Sequence, residues 1–321
     1  MPVGSADKGV GLGAGEIMLT TDFVYNHIDW EHSPIGNEPF YHSGILNSKI
    51  LNLGLTIGLN DYWNVTINQL IIERCMEWHP KETSSHHRTE CSSSDFENAN
   101  GGYLGDTSVK FKYLLENQGK GPGNRFFIGG GLIIPSNYAL TYNPFLSDNG
   151  EYQDHRHFAL SEGAHKIVFD FQFFQKRKTN PVFWGVTFGL IHPLESSDYG
   201  FYPSKVYDFS LTALSGPTKI KTNFFMISSI GLSYAYRYTT NAKWDDAIAP
   251  NSKSNTHIPG ISIIIGSKNL VKGSIGLNFS RAYLDNLNTN DDVVEQDAKV
   301  WQFSLSYRII LDKYIDRLYW N

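Results

Sequence analysis

Apolar side chains recur at every second position in several stretches of this sequence. In the stretch 51–60, Leu, Leu, Leu, Ile and Leu alternate with Asn, Gly, Thr, Gly and Asn. Similar alternation occupies 230–238, 275–279 and 301–308. Because successive side chains of a β-strand point to opposite faces, this period predicts strands with one apolar and one polar face.

The composition of the polar face separates two classes of β protein. In a soluble sandwich that face meets bulk water and is rich in Lys, Glu and Thr. Here it carries mostly Gly, Ser, Asn and Thr, which is typical of a wall around a confined lumen, with the apolar face turned to lipid. We therefore predict an all-β fold, a transmembrane antiparallel up-and-down β-barrel. A large soluble β-sandwich or a lipocalin-like barrel is the alternative.

Strand and loop lengths predict the topology of this barrel. About twelve strands are expected, near 16–28, 46–60, 62–76, 103–116, 125–137, 162–175, 182–193, 203–214, 223–240, 256–266, 271–284 and 297–311. Long connections, which include 29–45, 77–102 and 138–161, alternate with short turns, as in outer-membrane barrels. An even strand number leaves both termini on the short-turn, periplasmic side. We therefore expect a periplasmic segment at 1–15, the barrel at 16–311 and a periplasmic tail at 312–321.

Composition and charge exclude other classes. The aromatic share is 14% and the charged share 18%, yet no apolar run approaches the roughly 18 residues that a helix needs to cross a bilayer. The net charge of −5 argues against nucleic acid as a partner, since phosphate binding needs a basic surface. The first residues lack the features of a signal peptide. We expect a mature or truncated form of a monomeric barrel in the outer membrane of a Gram-negative type of bacterium.

Aromatic residues near the predicted strand ends are expected at the two membrane interfaces. They are Trp30, Tyr62, Trp63, Trp78, Trp184 and Trp301. For each of them, ordinary packing inside the protein is the alternative.

Charged residues on the polar face are candidates for lining a transport path. In the predicted register they are Lys110, Lys112, Lys166, Asp170, Asp208, Arg237 and Arg308. Because basic positions outnumber acidic ones, an open channel would favour anionic or neutral polar solutes. The alternative is a lumen plugged by Lys and Arg side chains paired with Asp.

Histidines and cysteines gather in the predicted long loops and the strand ends beside them. The candidate metal-binding residues are His79, His86, His87, His155 and His157. Imidazoles at one mouth of a barrel could bind a transition metal, although their spacing does not match a closed zinc site. The alternative is that these histidines are ordinary polar loop residues. Cys75 and Cys91 either form a disulfide that pins the loop 77–102 or remain free thiols.

Several segments of the chain resemble one family of barrels. They are LNLGLTIGLNDYWNVTIN at 51–68, YLGDTSVKFKYLL at 103–115, FFIGGGLIIPSN at 126–137, GLGAGE at 11–16 and WQFSLSYRI at 301–309. In these segments the chain resembles the meta-pathway phenol-degradation protein family, a group of outer-membrane, transporter-like barrels. The resemblance implies a barrel and the passage of small hydrophobic or aromatic molecules, and it supplies no defined functional residues. That family reads LPTGD after its fifth strand, where this chain reads IPSNY, so the following loop is expected to differ in role.

Three function classes remain. The leading one is a porin-like channel or transporter for passive passage of small molecules through the barrel. A closed structural or receptor barrel, whose long loops bind a partner or a metal, is the alternative. A lipid-modifying outer-membrane enzyme would need a Ser–His pair on a lipid-facing strand. We expect no histidine at mid-strand on the apolar face, and we predict no catalytic residue and no cofactor.

Overall fold

A computed structural model describes residues 11–34, 38–84, 87–118, 121–145, 147–148, 151–152, 155–218, 220, 226–266, 273–286 and 296–319. Within this part of the chain, twelve long strands form one antiparallel sheet. Their bounds are β1 Glu16–His32, β2 His42–Gly58, β3 Trp63–Trp78, β4 Leu104–Asn117, β5 Gly123–Ile134, β6 Lys166–Lys176, β7 Phe183–Pro193, β8 Val206–Leu214, β9 Met226–Thr239, β10 Ser254–Gly266, β11 Ser274–Asn286 and β12 Gln296–Tyr314.

The sheet closes on itself because β1 pairs with β12, while the other strands pair with their neighbours in chain order. Closure leaves no strand edge unpaired, which is what a barrel in lipid requires. The predicted class, an all-β up-and-down antiparallel barrel, is confirmed. Shorter strands lie in the loops at Glu90–Cys91, Ser147–Asp148, Glu151–Tyr152, Phe201–Tyr202, Lys243–Trp244 and Ala247–Ile248, and a helix of four residues follows β12 at Asp316–Tyr319.

No helix in the described residues has both the length and the apolar character needed to cross a membrane.

The two faces of the barrel wall differ as the alternation predicts. On the inner face of β2 and β3, Thr56 and Thr66 are each 3% exposed and their hydroxyls lie 3.0 Å apart. On the outer face, Leu53 is 41% exposed and Leu232 is 65% exposed. So large an apolar surface on the outside of a closed barrel is the kind that lipid covers.

The strands near the first long loop extend further than predicted. β1 ends at His32 rather than at residue 28, and β2 begins at His42 rather than at residue 46. His32 and His42 are directly opposite each other in the ladder. The backbone ladder therefore continues beyond the point where the apolar alternation fades.

The structure adds detail at both ends of the described chain. β12 runs to Tyr314, which pairs with Glu16, so the barrel does not stop at residue 311. Residues 11–15 lie against the wall at its short-turn end, where the Gly15 amide donates to the Gly58 carbonyl at 2.7 Å. A Cβ on inward-facing Gly58 would lie 2.0 Å from the Gly13 carbonyl oxygen. The described end of the amino-terminal segment thus packs on the inner wall, whereas residues 1–10 lie outside the described residues.

Candidate functional site

One row of residues, directly opposite one another on adjacent strands, crosses the inner wall from β4 to β9. This charged row consists of Lys112, Gly129, Asp170, Gly189, Asp208 and Arg237. Lys112 is near the short-turn end of β4, which ends at Asn117, and Arg237 is near the long-loop end of β9, which ends at Thr239. Because barrel strands are tilted, a row of paired residues climbs along the barrel axis. The charged row therefore follows the lumen wall diagonally from one end towards the other.

Hydrogen bonds join the charges of this row. Lys112 Nζ donates to Gln172 Oε1 at 3.3 Å, and Gln172 Nε2 donates to Asp170 Oδ2 at 2.7 Å. Arg237 donates two hydrogen bonds to Asp208, from Nε to Oδ1 at 2.7 Å and from Nη2 to Oδ2 at 3.2 Å. This is the bidentate geometry that suits a guanidinium and a carboxylate. The charges of the row are thereby balanced.

The other predicted lumen charges also lie on the inner face. Lys166 is 8% exposed, and its Nζ lies 2.7 Å from Glu162 Oε2 and 3.3 Å from Asp106 Oδ2. Lys110 and Arg308 face inward because each is directly opposite a buried threonine. The sequence reasoning did not include the two acidic partners of Lys166, Asp106 and Glu162, and these reduce the expected excess of positive charge.

Apolar side chains narrow the short-turn end of the lumen. This apolar floor consists of Leu114, Phe127, Phe174 and Phe183. Phe127 is fully buried, and the Lys112 ammonium lies 5.5 Å from the centre of its ring. A Cβ on Gly11 would lie 3.6 Å from Leu114 Cδ2, and the neighbouring Leu12 is 2% exposed. The segment before β1 therefore packs beside the apolar floor.

Two long loops pack together at the other end of the barrel. We call the described parts of 79–103 and 135–165 the loop cap. Arg156, which is 2% exposed, places Nη2 3.1 Å from Glu90 Oε2 and donates to the Cys91 carbonyl at 3.1 Å. Asn98 Nδ2 donates to the Arg156 carbonyl at 2.9 Å, and its Oδ1 accepts the Arg156 amide at 2.8 Å. One buried arginine thus joins both loops.

A disulfide between Cys75 and Cys91 ties the loop cap to β3. It settles the alternative that the sequence left open, because both cysteines of the chain are bridged. The bridge spans 16 positions and encloses the loop segment that contains Arg88 and Glu90.

Removing this bridge by Cys91→Ser should expose the loop to protease while the barrel stays folded. Closing a loop of about 15 residues stabilises a fold by roughly 3 kcal/mol, so cleavage through local opening should become up to about 100-fold faster. Tryptic cleavage after Arg88 in the refolded protein measures this. Wild-type protein treated with a reductant should match the variant, and an unchanged cleavage rate in both would contradict the anchoring role.

Three of the five predicted metal-binding histidines, His87, His155 and His157, lie close together. His87 is 7% exposed, and its ring centre lies 4.7 Å from that of Trp30. His155 and His157 place their Nε2 atoms 3.0 Å apart, and the His157 ring lies 5.2 Å from the His87 ring. His79 is exposed at the start of its loop, and His86 lies outside the described residues.

Two histidines that were not among the candidates lie against His87. His32 and His42 face inward at the long-loop ends of β1 and β2, with exposures of 5% and 0%. Ring nitrogens of His32, His42 and His87 lie within 4.8 Å of one another. The alternation of inward and outward positions could have identified them. His32 and His42 fall on inward positions when that alternation is continued beyond the predicted ends of β1 and β2.

Two of the aromatic residues expected at the membrane interfaces, Trp30 and Trp78, instead face the inside of the barrel. Trp30 faces inward, because a Cβ on inward-facing Gly44 would lie 2.8 Å from Trp30 Cζ2. Trp78 stacks against the His87 ring at 5.3 Å, also inside the barrel. Trp63 and Trp301 do lie on the outer surface, with exposures of 41% and 37%.

Two histidines lie on the outer face, both towards the long-loop ends of their strands. His27 on β1 has its Nδ1 2.9 Å from Asn47 Oδ1, and His257 on β10 has its Nδ1 2.7 Å from the Tyr234 hydroxyl. Both contacts join a histidine to an amide or a phenol rather than to a serine. They do not form the Ser–His pair that the lipid-modifying class would need.

No family model matches the sequence. No curated protein matches it either. The fold is similar to the crystal structure of an outer membrane channel from Pseudomonas putida F1, with a TM-score of 0.60 and 11% identity, covering 96% of this chain and 100% of that chain. A FadL homologue from Pseudomonas aeruginosa matches with a TM-score of 0.42 and 9% identity, over 92% of this chain and 90% of that chain. At such identities the likeness to the first structure supports the barrel fold.

Proposed function

We propose that the protein is a bacterial outer-membrane channel, acting as a monomer, for the passive passage of small molecules through its barrel. The apolar outer surface suits a bilayer, and the closed sheet needs no second chain to satisfy its edges. In this orientation the loop cap is extracellular and the short turns are periplasmic.

The observation that carries the proposal is the exposure of the Asp208–Arg237 pair. Both side chains are on the inner face, yet Arg237 is 46% exposed and Asp208 is 20% exposed. Since the wall behind them is a continuous hydrogen-bonded sheet, the water that reaches them must occupy the lumen or its mouth. Lys112, at the lower end of the same row, is 5% exposed. The water-accessible space therefore narrows towards the apolar floor.

The side chains that line the lumen favour the passage of small solutes without net charge. Opposite charges along the charged row are paired, which removes a strong preference for either sign of ion. The apolar floor offers aromatic surface to the apolar part of a solute as it passes. Passage of hydrophobic or aromatic molecules, and membership in the phenol-degradation family, are proposals that rest on the resemblance described above.

A matched pair of glycine variants tests whether the lumen conducts. Gly189 faces inward beside Asp208, and Gly130 faces outward on β5. A Cβ would meet its nearest atom at 3.7 Å and 3.5 Å respectively, so a Cβ fits at either site in ordinary van der Waals contact. The wild type should give discrete conductance steps in planar bilayers and should admit a small uncharged sugar in liposome swelling. Gly189→Trp should reduce both by more than half, and Gly130→Trp should leave both unchanged.

A closed barrel is the second candidate, favoured by the dense packing of the loop cap and the apolar floor. In that case folded wild-type protein gives neither conductance nor swelling. Equal effects of the two tryptophan variants would also count against a path through the lumen, because only Gly189→Trp narrows it.

A further inference from the structure

Three histidines from separate elements meet at the long-loop end of the lumen. His32 ends β1, His42 begins β2 and His87 comes from the loop 79–103, which reaches over the inner wall at this point. All three are more than nine-tenths buried. Imidazoles buried this closely cannot all be protonated at both nitrogens, because each positive charge would lose its hydration and repel the others. His32 Nε2 and His87 Nε2 lie at hydrogen-bond distance, 3.0 Å, so these two nitrogens share one hydrogen.

The spacing of the nitrogens suits one metal ion. His32 Nε2 and His87 Nε2 lie 3.0 Å apart, and one ring nitrogen from each of the three histidines falls within 4.8 Å of the others. Two nitrogens on a tetrahedral zinc ion, each about 2.0–2.1 Å from it, are separated by roughly 3.4 Å.

Neighbouring groups hold the rings in the orientation that ligands need. The Ser33 carbonyl, which can only accept, lies 2.8 Å from His32 Nδ1, so this nitrogen carries the hydrogen and Nε2 is the ligand atom. A backbone carbonyl behind an imidazole is a usual support for a metal-binding histidine. Glu38 Oε2 lies 3.0 Å from His42 Nε2 and accepts from Ser84 Oγ at 2.8 Å. Ser84 Oγ also accepts the His87 amide at 3.0 Å. Ser84 therefore links the loop between β1 and β2, which carries Glu38, to the loop 79–103, which carries His87.

Aromatic rings enclose the cluster. Trp30, Trp78 and Phe40 have ring centres 4.7 Å from His87, 5.4 Å from His42 and 5.1 Å from His42, respectively. An apolar enclosure keeps competing water away from a bound ion and raises the strength of its bonds to nitrogen and carboxylate oxygen. Such an enclosure around three imidazoles is unusual for ordinary polar loop residues.

We propose that His32, His42 and His87 bind one divalent transition-metal ion, with Zn²⁺ as the ion to be tested. Imidazole nitrogen suits zinc, copper and nickel, whereas calcium and magnesium prefer oxygen ligands. The Glu38 carboxylate is placed to serve as the fourth ligand or as support for His42. The bound ion would fasten the loop 79–103 to the ends of β1 and β2, at the extracellular mouth of the proposed channel.

The test is zinc binding by the folded, full-length protein in detergent after treatment with a chelator. Titration calorimetry and metal analysis should give one Zn²⁺ per chain for the wild type. His42→Gln and His87→Gln should each weaken binding by more than about 100-fold, since loss even of a supporting residue costs 10–100-fold. His79→Gln is the matched control, because His79 is exposed in the same loop and outside the cluster, and it should bind as the wild type does.

Folding of each variant is checked by the mobility shift of the unheated barrel in gels. His42 is fully buried, so if its replacement prevents folding, His87→Gln decides, because His87 is not part of the sheet. The proposal is overturned if folded wild-type protein binds no stoichiometric zinc. It is also overturned if His87→Gln binds zinc as tightly as the wild type, or if His79→Gln loses binding to the same extent.

Discussion

Replacing Leu51 by Arg should destabilise the barrel in lipid by about 2–4 kcal/mol, whereas replacing Ile45 by Arg on the same strand should cost about 0–1 kcal/mol. Both side chains point outward from β2. Leu51 is flanked by Phe23 and Ile71 on the adjacent strands, so an arginine there would meet hydrocarbon. Ile45 is flanked by Asp29 and Glu77, so an arginine there would meet opposite charge.

About 20 Å of strand separates the two positions, which is enough to move from the middle of the apolar belt to its rim. Urea titration of protein folded into phosphatidylcholine vesicles, followed by tryptophan fluorescence, gives both free energies of unfolding. Equal costs for the two arginine variants would mean that the outer belt is not covered by lipid. That result would remove the membrane orientation on which the proposed channel depends.

The barrel was predictable because lipid makes the alternation strict. Where a strand crosses lipid, its outward side chains are predominantly apolar, so the stretch 51–60 reveals its two faces without any knowledge of its neighbours. The same parity places Lys112, Asp170 and Arg237 on the inner wall. A local pattern was sufficient because a strand's two faces depend only on position along that strand.

The ends of the strands were less predictable, because above the lipid both faces can be polar. Asp29 and Glu31 are outward and Trp30 and His32 are inward on β1, so the apolar signal vanishes although the ladder continues. The apolar pattern therefore predicts a strand that ends at residue 28 and places His32 and His42 in the loop 29–45. If the alternation of inward and outward positions is continued past residue 28 on β1 and back from residue 46 on β2, it identifies both histidines as inward-facing.

Contacts between loops could not be predicted from the sequence at all. Arg156 is paired with Glu90 across a separation that no periodic pattern encodes. The same is true of Lys166 on β6 and Asp106 on β4, which lie on strands that are not adjacent. The disulfide stayed undecided for the same reason, because spacing does not determine which residue a loop cysteine approaches. Such pairings depend on how the loops fold back over the rim, which is a property of the whole barrel.

The proposed channel and the proposed metal site both concern the long-loop end of the lumen. The histidine cluster lies beside β1 and β2, and the exposed Asp208–Arg237 pair lies on the inner wall at β8 and β9. The loop cap also reaches that side, because Leu140 packs against the buried cluster around Trp244 in the loop after β9. An ion at the histidine cluster would therefore stiffen the cap without touching the pair.

Replacing Arg156 by Met should open the loop cap while leaving the barrel intact. Removing one partner of a buried ion pair costs about 3–5 kcal/mol, because the other charge stays desolvated without its partner. Arg156 and Glu90 are 2% and 12% exposed, so this cost applies here. The loss falls on the contacts between the two loops, since Arg156 touches neither the charged row nor the apolar floor in the described contacts.

Hydrogen exchange measures this opening directly. The Thr141 amide donates to the Asn98 carbonyl at 2.8 Å and the Leu160 amide to the Tyr138 carbonyl at 3.0 Å; their protection should fall by at least about 100-fold, while strand amides stay protected. Arg177→Met, at an exposed arginine after β6, is the control and should change neither group. In a double-mutant cycle Glu90→Gln should add little to Arg156→Met, because the pair is already broken. Full additivity, or equal loss of protection in the strands, would show that Arg156 does not act by holding the two loops together.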